Sequence, residues 1–336
     1  MATLKEIAAK SGVCTATVSY VLNNRPGVRI SEATRKRVLD AATELDYRPN
    51  ALARSVRSGR SETIAFLYRD SNTSLYLDKV FRGIYSEATA AGFAVKNYFA
   101  GGELNDDIIR MLLEQRIAGV VIAASDIAKI RNITSELIKH QIPIITVNCD
   151  RQDLRCPSFL PDDLMGGRIG TERLIRAGCR RIVLVSCSGW DTPFDWIKNR
   201  IAGYVQALHE LKPEAEPVVI NDKELVDDRG KNIFLGPDRP DGCFCISDEQ
   251  AMRLQQIAYH CGIAMPEELS IIGYGDHPAA ALAVVPLTTI SEPLCEIGAR
   301  ATRKLIRVIN HMEVADDQIT VLPVSLLERD SVKRND

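Results

Sequence analysis

The residues of this 336-residue chain best suited to recognition chemistry begin with Thr15, Ala16, Ser19 and Tyr20 in TATVSYVLNN. Val18, Val21 and Leu22 recur there at helical spacing, so one face packs while the other offers small hydroxyl-bearing groups fit for close approach to a surface. A second candidate is SGWDTPFDW, where Trp190 and Trp196 lie on a loop after an apolar strand. Aromatic faces so placed stack on sugar rings or cover the core beneath. Bond-making chemistry is harder to find. GGRIG at 166–170 lacks the GxGxxG spacing and stands before a helix, and no GxSxG elbow, P-loop or HExxH occurs. The pairs Asp162 and Asp163, and Asp227 and Asp228, read as helix caps or solvated loop charges. The histidines are scattered, and the nine cysteines include no CxxC pair. Cys243 and Cys245 alternate on one face of a strand, the pattern of buried free thiols. No enzymatic activity, cofactor or metal is expected.

The elements that position these residues follow from periodicity. LKEIAAK, TATVSYVLN and a helix opening at SEATRKRV, capped by Ser31, form three short helices. Leu4, Ile7, Ala8, Val38, Ala41, Ala42 and Leu45 join Val18 and Val21 in one core. Gly12 makes the turn between the first two so tight that they cross steeply, which is helix-turn-helix geometry. YRPNALARSVRSGRS follows, where Pro49 stops the third helix. ALARSV, carrying Arg54 and Arg57, has too few apolar residues to fold without a partner. From Thr63 onward apolar strands alternate with helical stretches: TIAFLY, FAVKNYFA, GVVIAA, PIITVN, RIVLVS, PVVIN, GCFCIS, LSIIGYG and LTTIS. This predicts an α/β body with parallel sheets in two lobes.

Charge separates the two regions. Residues 1–60 hold 11 Lys and Arg against 5 Asp and Glu, leaving 31 against 39 for the rest. A basic segment on an acidic body points to a polyanionic partner for the segment alone. No run of about 18 apolar residues and no signal pattern occurs, so a cytoplasmic location without membrane contact is expected.

TLKEIAAKSGV, TVSYVLNN, RPNALARS, DDLMGGRIGTERLIRAG, NRIAGYVQAL and MPEELSIIGYGD, in this order, resemble the lac and galactose repressor family of bacterial transcription factors. The resemblance implies a three-helix headpiece at 1–46, a hinge helix and linker at 47–60, and a two-lobed body at 61–336 like periplasmic sugar-binding proteins. The first lobe would span about 61–161 and 292–325, the second about 162–291. TATVSYVLN would be the recognition helix in the major groove, with Thr15, Ala16 and Tyr20 near base edges and Thr17, Ser19 and Asn23 near phosphates. Leu4, Cys14, Asn50, Ala53, Arg54 and Val56 complete the implied DNA contacts. Val56 stands where a leucine wedge is typical, implying a smaller kink at the operator centre. Tyr20 stands where arginine is frequent, which removes a bidentate guanine reader. Cys14 replaces a usual serine, at a cost of about 1 kcal/mol if a helix cap is lost.

For the body, the resemblance makes Arg200 the ligand-gripping arginine. Tyr76, Asn148, Trp190, Trp196, Ser247, Gly275 and Asp276 are the other pocket candidates. Gly275 and Asn148 replace acidic residues that accept sugar hydroxyls. With nothing acidic opposing Arg200, a sugar acid is expected to bind in preference to a neutral sugar held by Asp276. The function implied is a repressor acting as a homodimer on palindromic operator DNA, with a carbohydrate-type effector setting lobe closure and hinge order. A ligand receptor without DNA function would need a signal peptide and no basic headpiece.

Overall fold

A computed structural model describes residues 2–22, 27–47, 61–68, 74–99, 106–124, 130–149, 155–225, 233, 234, 236, 238–314 and 316–334. The chain divides into two units, Met1–Ser61 and Glu62–Asp336. In the first, α1 (Leu4–Ser11) opens with a capping box between Thr3 and Glu6, and Gly12 ends it at φ 69°. α2 (Thr15–Leu22) follows after that turn, and α3 (Glu32–Glu44) starts at Ser31, whose side chain accepts from the Thr34 N–H. Helices this short are marginal alone. They are held by a shared core of Ile7, Ala8, Val18, Val21, Val38, Ala41 and Ala42. Asn23 and the expected hinge positions Asn50, Ala53, Arg54, Val56 and Arg57 lie outside the described residues.

The second unit runs β1 (Thr63–Tyr68), α4 (Ser74–Ala90), β2 (Ala94–Phe99), α5 (Asp106–Glu114), β3 (Gly119–Ala123), α6 (Arg131–Lys139), β4 (Ile144–Val147) and β5 (Ser158–Pro161). It continues α7 (Asp163–Arg176), β6 (Ile182–Ser186), α8 (Asp195–Leu211), β7 (Val218–Asn221), β8 (Gly242–Cys245), α9 (Asp248–His260), β9 (Ser270–Tyr274) and β10 (Thr288–Ser291). It ends with α10 (Leu294–Ile309), β11 (Ile319–Leu322) and β12 (Ser325–Leu327).

Two six-stranded sheets result, ordered β11-β5-β4-β3-β1-β2 and β12-β10-β9-β8-β6-β7. Every pairing is parallel except β10 with β12. Both faces of each sheet are covered, which is why the strands read as continuous apolar runs. In β1, Ile64 and Phe66 pack toward α4 and α10, while Ala65 and Leu67 pack toward α5 and α6. Cys243 and Cys245 are fully buried together in the second lobe. The strands β5, β11 and β12 do not stand out in the sequence: Ser158 and Pro161 leave β5 two apolar residues, and β11 and β12 are partly exposed. β12 returns the chain to the second sheet, so the lobes are joined by three crossovers, at Asp162, at Glu292–Pro293 and at Pro323–Val324.

GGRIG corrects one expectation: it lies inside α7 rather than before a helix. A Cβ on Gly167 would stand 2.1 Å from the Arg200 carbonyl oxygen, and one on Gly203 would stand 2.0 Å from that of Leu164. These glycines let the α7 and α8 backbones touch. That contact sets the N-terminal end of α7 beside Arg200.

Candidate functional site

On α2, Thr15 and Ala16 are exposed and Thr17, Ser19 and Tyr20 are half-buried, so the polar face stays available after the apolar face has packed. Leu4 is half-buried against the core. The exposed Cys14 thiol lies 3.2 Å from the Thr17 hydroxyl. The Thr17 hydroxyl, and after it the Thr17 backbone N–H, hold the thiol below the usual range. The sulfur thus occupies the first turn, with weaker hydrogen bonding than an oxygen would have.

In the body, the carboxyl ends of the strands carry the polar groups, the place where ligands bind open parallel sheets. Arg200, on α8, is 6% exposed. Its Nε donates to Asp163 Oδ1 at 2.7 Å, its Nη2 to Glu292 Oε1 at 3.1 Å, and its Nη1 to the Ile246 carbonyl at 2.7 Å. The guanidinium lies 3.4 Å from the Tyr274 ring centroid and 4.7 Å from that of Trp196. Tyr274 also donates to Asp163 at 3.1 Å. Burial opposes the arginine's charge, but Asp163, Tyr274 and Glu292 raise its pKa above the ordinary range. Burial raises the Asp163 carboxyl despite Arg200, and pushes Glu292 up to about 7.

This arrangement removes the premise for a sugar acid. Two carboxylates meet one guanidinium, so Arg200 has no spare positive charge to offer an anion. Asp163 also corrects the reading of its pair: Asp162 is the cap, accepting from the Met165 N–H, whereas Asp163 is a buried partner of Arg200. Nor is Asp276 loose. Arg329 donates to its Oδ1 at 2.8 Å, and Lys79 on α4 donates to the backbone carbonyls of Gly275 and Asp276 at 3.0 and 2.7 Å, a bond between lobes.

The other candidates divide. Gly275 sits at φ 116° beside Glu292; beyond its chain neighbours, a Cβ there would meet among the described residues only Glu292 Oε2, at 3.8 Å. Tyr76 has a buried hydroxyl with no hydrogen-bond partner among the described residues, and its nearest charged influences include Glu292, Asp163 and Arg200. Trp196 Nε1 is likewise unpartnered. Ser247 instead caps α9 by accepting from the Gln250 N–H at 3.3 Å. Asn148 is half-buried at φ 59°, with its N–H bonded to the Phe159 carbonyl. Trp190 is 54% exposed. Sequence reasoning missed Asp163, Glu292, Ser188 and Gln250, the last two also carrying a buried unpartnered oxygen. Their common signal is a polar residue within a few positions of a strand's carboxyl end.

A basic three-helix reader and a body with buried polar groups at facing strand ends define a ligand-controlled DNA-binding regulator. The pattern of bacterial regulatory proteins of the lacI family matches residues 3–50, and that of the periplasmic binding protein-like domain matches 171–332. The HTH-type transcriptional repressor PurR of Vibrio atlanticus (strain LGP32) is 30% identical over 340 residues, covering 99% of both chains. The crystal structure of the lac repressor dimer bound to operator and the anti-inducer ONPF superposes with a TM-score of 0.80 at 21% identity, covering 99% of both chains. The transcriptional regulator CelR–cellobiose complex gives 0.68 at 24% identity, covering 98% of this chain and 100% of that one. The chain belongs to the LacI family. It is a DNA-binding transcriptional repressor regulated by a small-molecule effector, and not an enzyme. No described helix is long and apolar enough to cross a membrane.

Proposed function

We propose that this repressor binds palindromic operator DNA as a homodimer in the bacterial cytoplasm, and that its effector is an uncharged polyhydroxyl compound held between the lobes. The carrying observation is the neutralisation of Arg200 by Asp163 and Glu292. An anion entering there would meet carboxylates already bound to the only buried guanidinium of the described cluster. A neutral ligand with several hydroxyls suits the site better. It can donate to carboxylates, satisfy Tyr76, Ser188, Trp196 and Gln250, and lie against aromatic rings. Cellobiose, the ligand of the CelR complex, is of this kind.

For DNA, Thr15, Ala16 and Tyr20 are the proposed base-edge contacts, with Leu4, Cys14, Thr17, Ser19 and Asn23 toward the backbone and Asn50, Ala53, Arg54 and Val56 at the hinge. Exposed apolar residues support the homodimer. Gln255 on α9 ties that helix to the Val285 carbonyl at 2.9 Å, and the neighbouring Tyr259, Leu282 and Val284 are 65%, 86% and 51% exposed. Thermal melting of the full chain with neutral sugars and with D-gluconate tests the effector class, because a ligand that binds the folded state raises Tm. Stabilisation by neutral sugars is expected; stabilisation by gluconate alone would overturn the reading.

A further inference from the structure

Glu292 lies on the crossover between β10 and α10 and is nearly buried, with 7% of its side chain exposed. Its two oxygens face different surroundings. Oε1 accepts from Arg200 at 3.1 Å. Oε2 would stand 3.8 Å from a Cβ placed on Gly275, which apart from its two chain neighbours would find no other heavy atom of the described residues within 4 Å. The missing side chain at 275 therefore leaves a space with a carboxylate oxygen on its wall. Other acidic groups nearby have at least one oxygen committed. Asp163 Oδ1 accepts from both Arg200 and Tyr274. Asp248 accepts from the Thr289 hydroxyl and the His277 N–H, one through each oxygen. Asp276 is held by Arg329. The unpartnered Tyr76 hydroxyl lies close enough to Glu292 to feel its charge, and the unpartnered Trp196 N–H belongs to the ring that covers Arg200.

We propose that Glu292 is the group that grips the effector, its Oε2 accepting hydrogen bonds from neighbouring hydroxyls of an uncharged polyol in the space left by Gly275. This rests on the neutral-polyol reading above and assigns its specificity to one residue. It moves the hydroxyl-accepting carboxylate from the loop after β9, where the sequence has glycine, to a segment that joins the lobes. The ligand then acts on a crossover directly, and through Oε1 on Arg200, which holds a second crossover by way of Asp163.

The proposal has a pH signature. Glu292 is faced by Arg200, Asp163, Lys79, Asp248, Tyr76 and Tyr274, and burial holds its carboxyl up to about 7. Hydroxyl donors favour the ionised form, so binding releases a proton. Affinity should rise roughly tenfold from pH 6 to pH 8 as the ionised fraction grows, then level off.

The test uses the full chain. D-ribose, D-glucose, D-galactose, cellobiose and D-gluconate are first compared by thermal melting, and any stabilising sugar is titrated calorimetrically against the parent and Glu292→Gln from pH 6 to pH 8. Glutamine keeps the shape and the carbonyl that faces Arg200. The expected result is a sugar whose affinity for the parent climbs with pH, with proton release, and whose affinity for Glu292→Gln is at least tenfold weaker and flat. The pH profile of the parent decides the matter even if the variant folds poorly. A neutral sugar that binds the parent with no pH dependence, or binds Glu292→Gln equally well, overturns the assignment and leaves the polyol reading standing. Stabilisation by gluconate alone, or by no compound of the set, overturns the polyol reading, and the assignment falls with it.

Discussion

The exposed face of α2 and the cleft of the body offer candidate binding groups of opposite physical character. On α2 the candidate binding groups are exposed or half-buried and uncharged, while Val18 and Val21 of the apolar face are buried in the headpiece core. In the proposed operator complex their contacts with DNA would replace contacts with water. In the cleft the groups are buried and charged, and they hold one another: Arg200, Asp163 and Glu292 are each under a tenth exposed. Removing a group from α2 should therefore change affinity more than stability. Removing one from the cleft should change both.

The largest break in that contrast is Arg200→Ala. Losing the guanidinium strands two buried carboxylates, a change that costs about 3–5 kcal/mol. Chemical denaturation of the variant should show it, and an unchanged midpoint would mean the cluster is not buried in solution. A pH series on the parent sharpens the same point. Glu292 is raised in the folded state, so between the ordinary glutamate range and about 7 the folded protein holds a proton that the unfolded chain has released. Stability should fall as pH rises through that window, and Asp163, also raised, acts in the same direction. Glu292→Gln should flatten the slope, measured as Tm against pH; an undiminished slope would point to other groups.

Gly167→Ala is next. Its Cβ would stand 2.1 Å from the Arg200 carbonyl, so α7 and α8 must part at a cost of about 1–3 kcal/mol, read by denaturation. On the headpiece side, Tyr20→Ala should weaken binding to an operator selected from random duplexes by about 1–2 kcal/mol, the scale of one lost base contact, with a smaller loss of stability. A fall in Tm as large as the loss in binding would break the comparison. The smallest effect is Cys14→Ser, which places a stronger acceptor in the first turn and should tighten operator binding by about 1 kcal/mol or less. Fluorescence anisotropy at fixed salt measures both.

These differences explain what could be read early. The α2 helix was legible because everything that defines it is local: Val18 and Val21 at helical spacing, Gly12 at the turn, Ser31 before the next helix. The strands of the body were legible because burial on both faces writes itself as an unbroken apolar run. GGRIG was harder. Gly167 matters through a helix residue more than thirty positions later, and Gly166 and Gly170 through the Tyr274 and Phe244 rings; spacing within five residues carries no trace of that.

The sequence by itself determined the two-part organisation and the charge contrast between headpiece and body, since composition and periodicity are properties of the chain, and its motifs carried the resemblance to the family. Only the tertiary structure decided the electrical character of the cleft. Asp163, Arg200 and Glu292 are separated by 37 and 92 positions, and Arg200 is neutralised only when two crossovers and a close glycine-mediated helix contact bring each acid within 3.1 Å of its guanidinium. A buried charge is judged by its partners in space, and the order of residues along the chain does not name them.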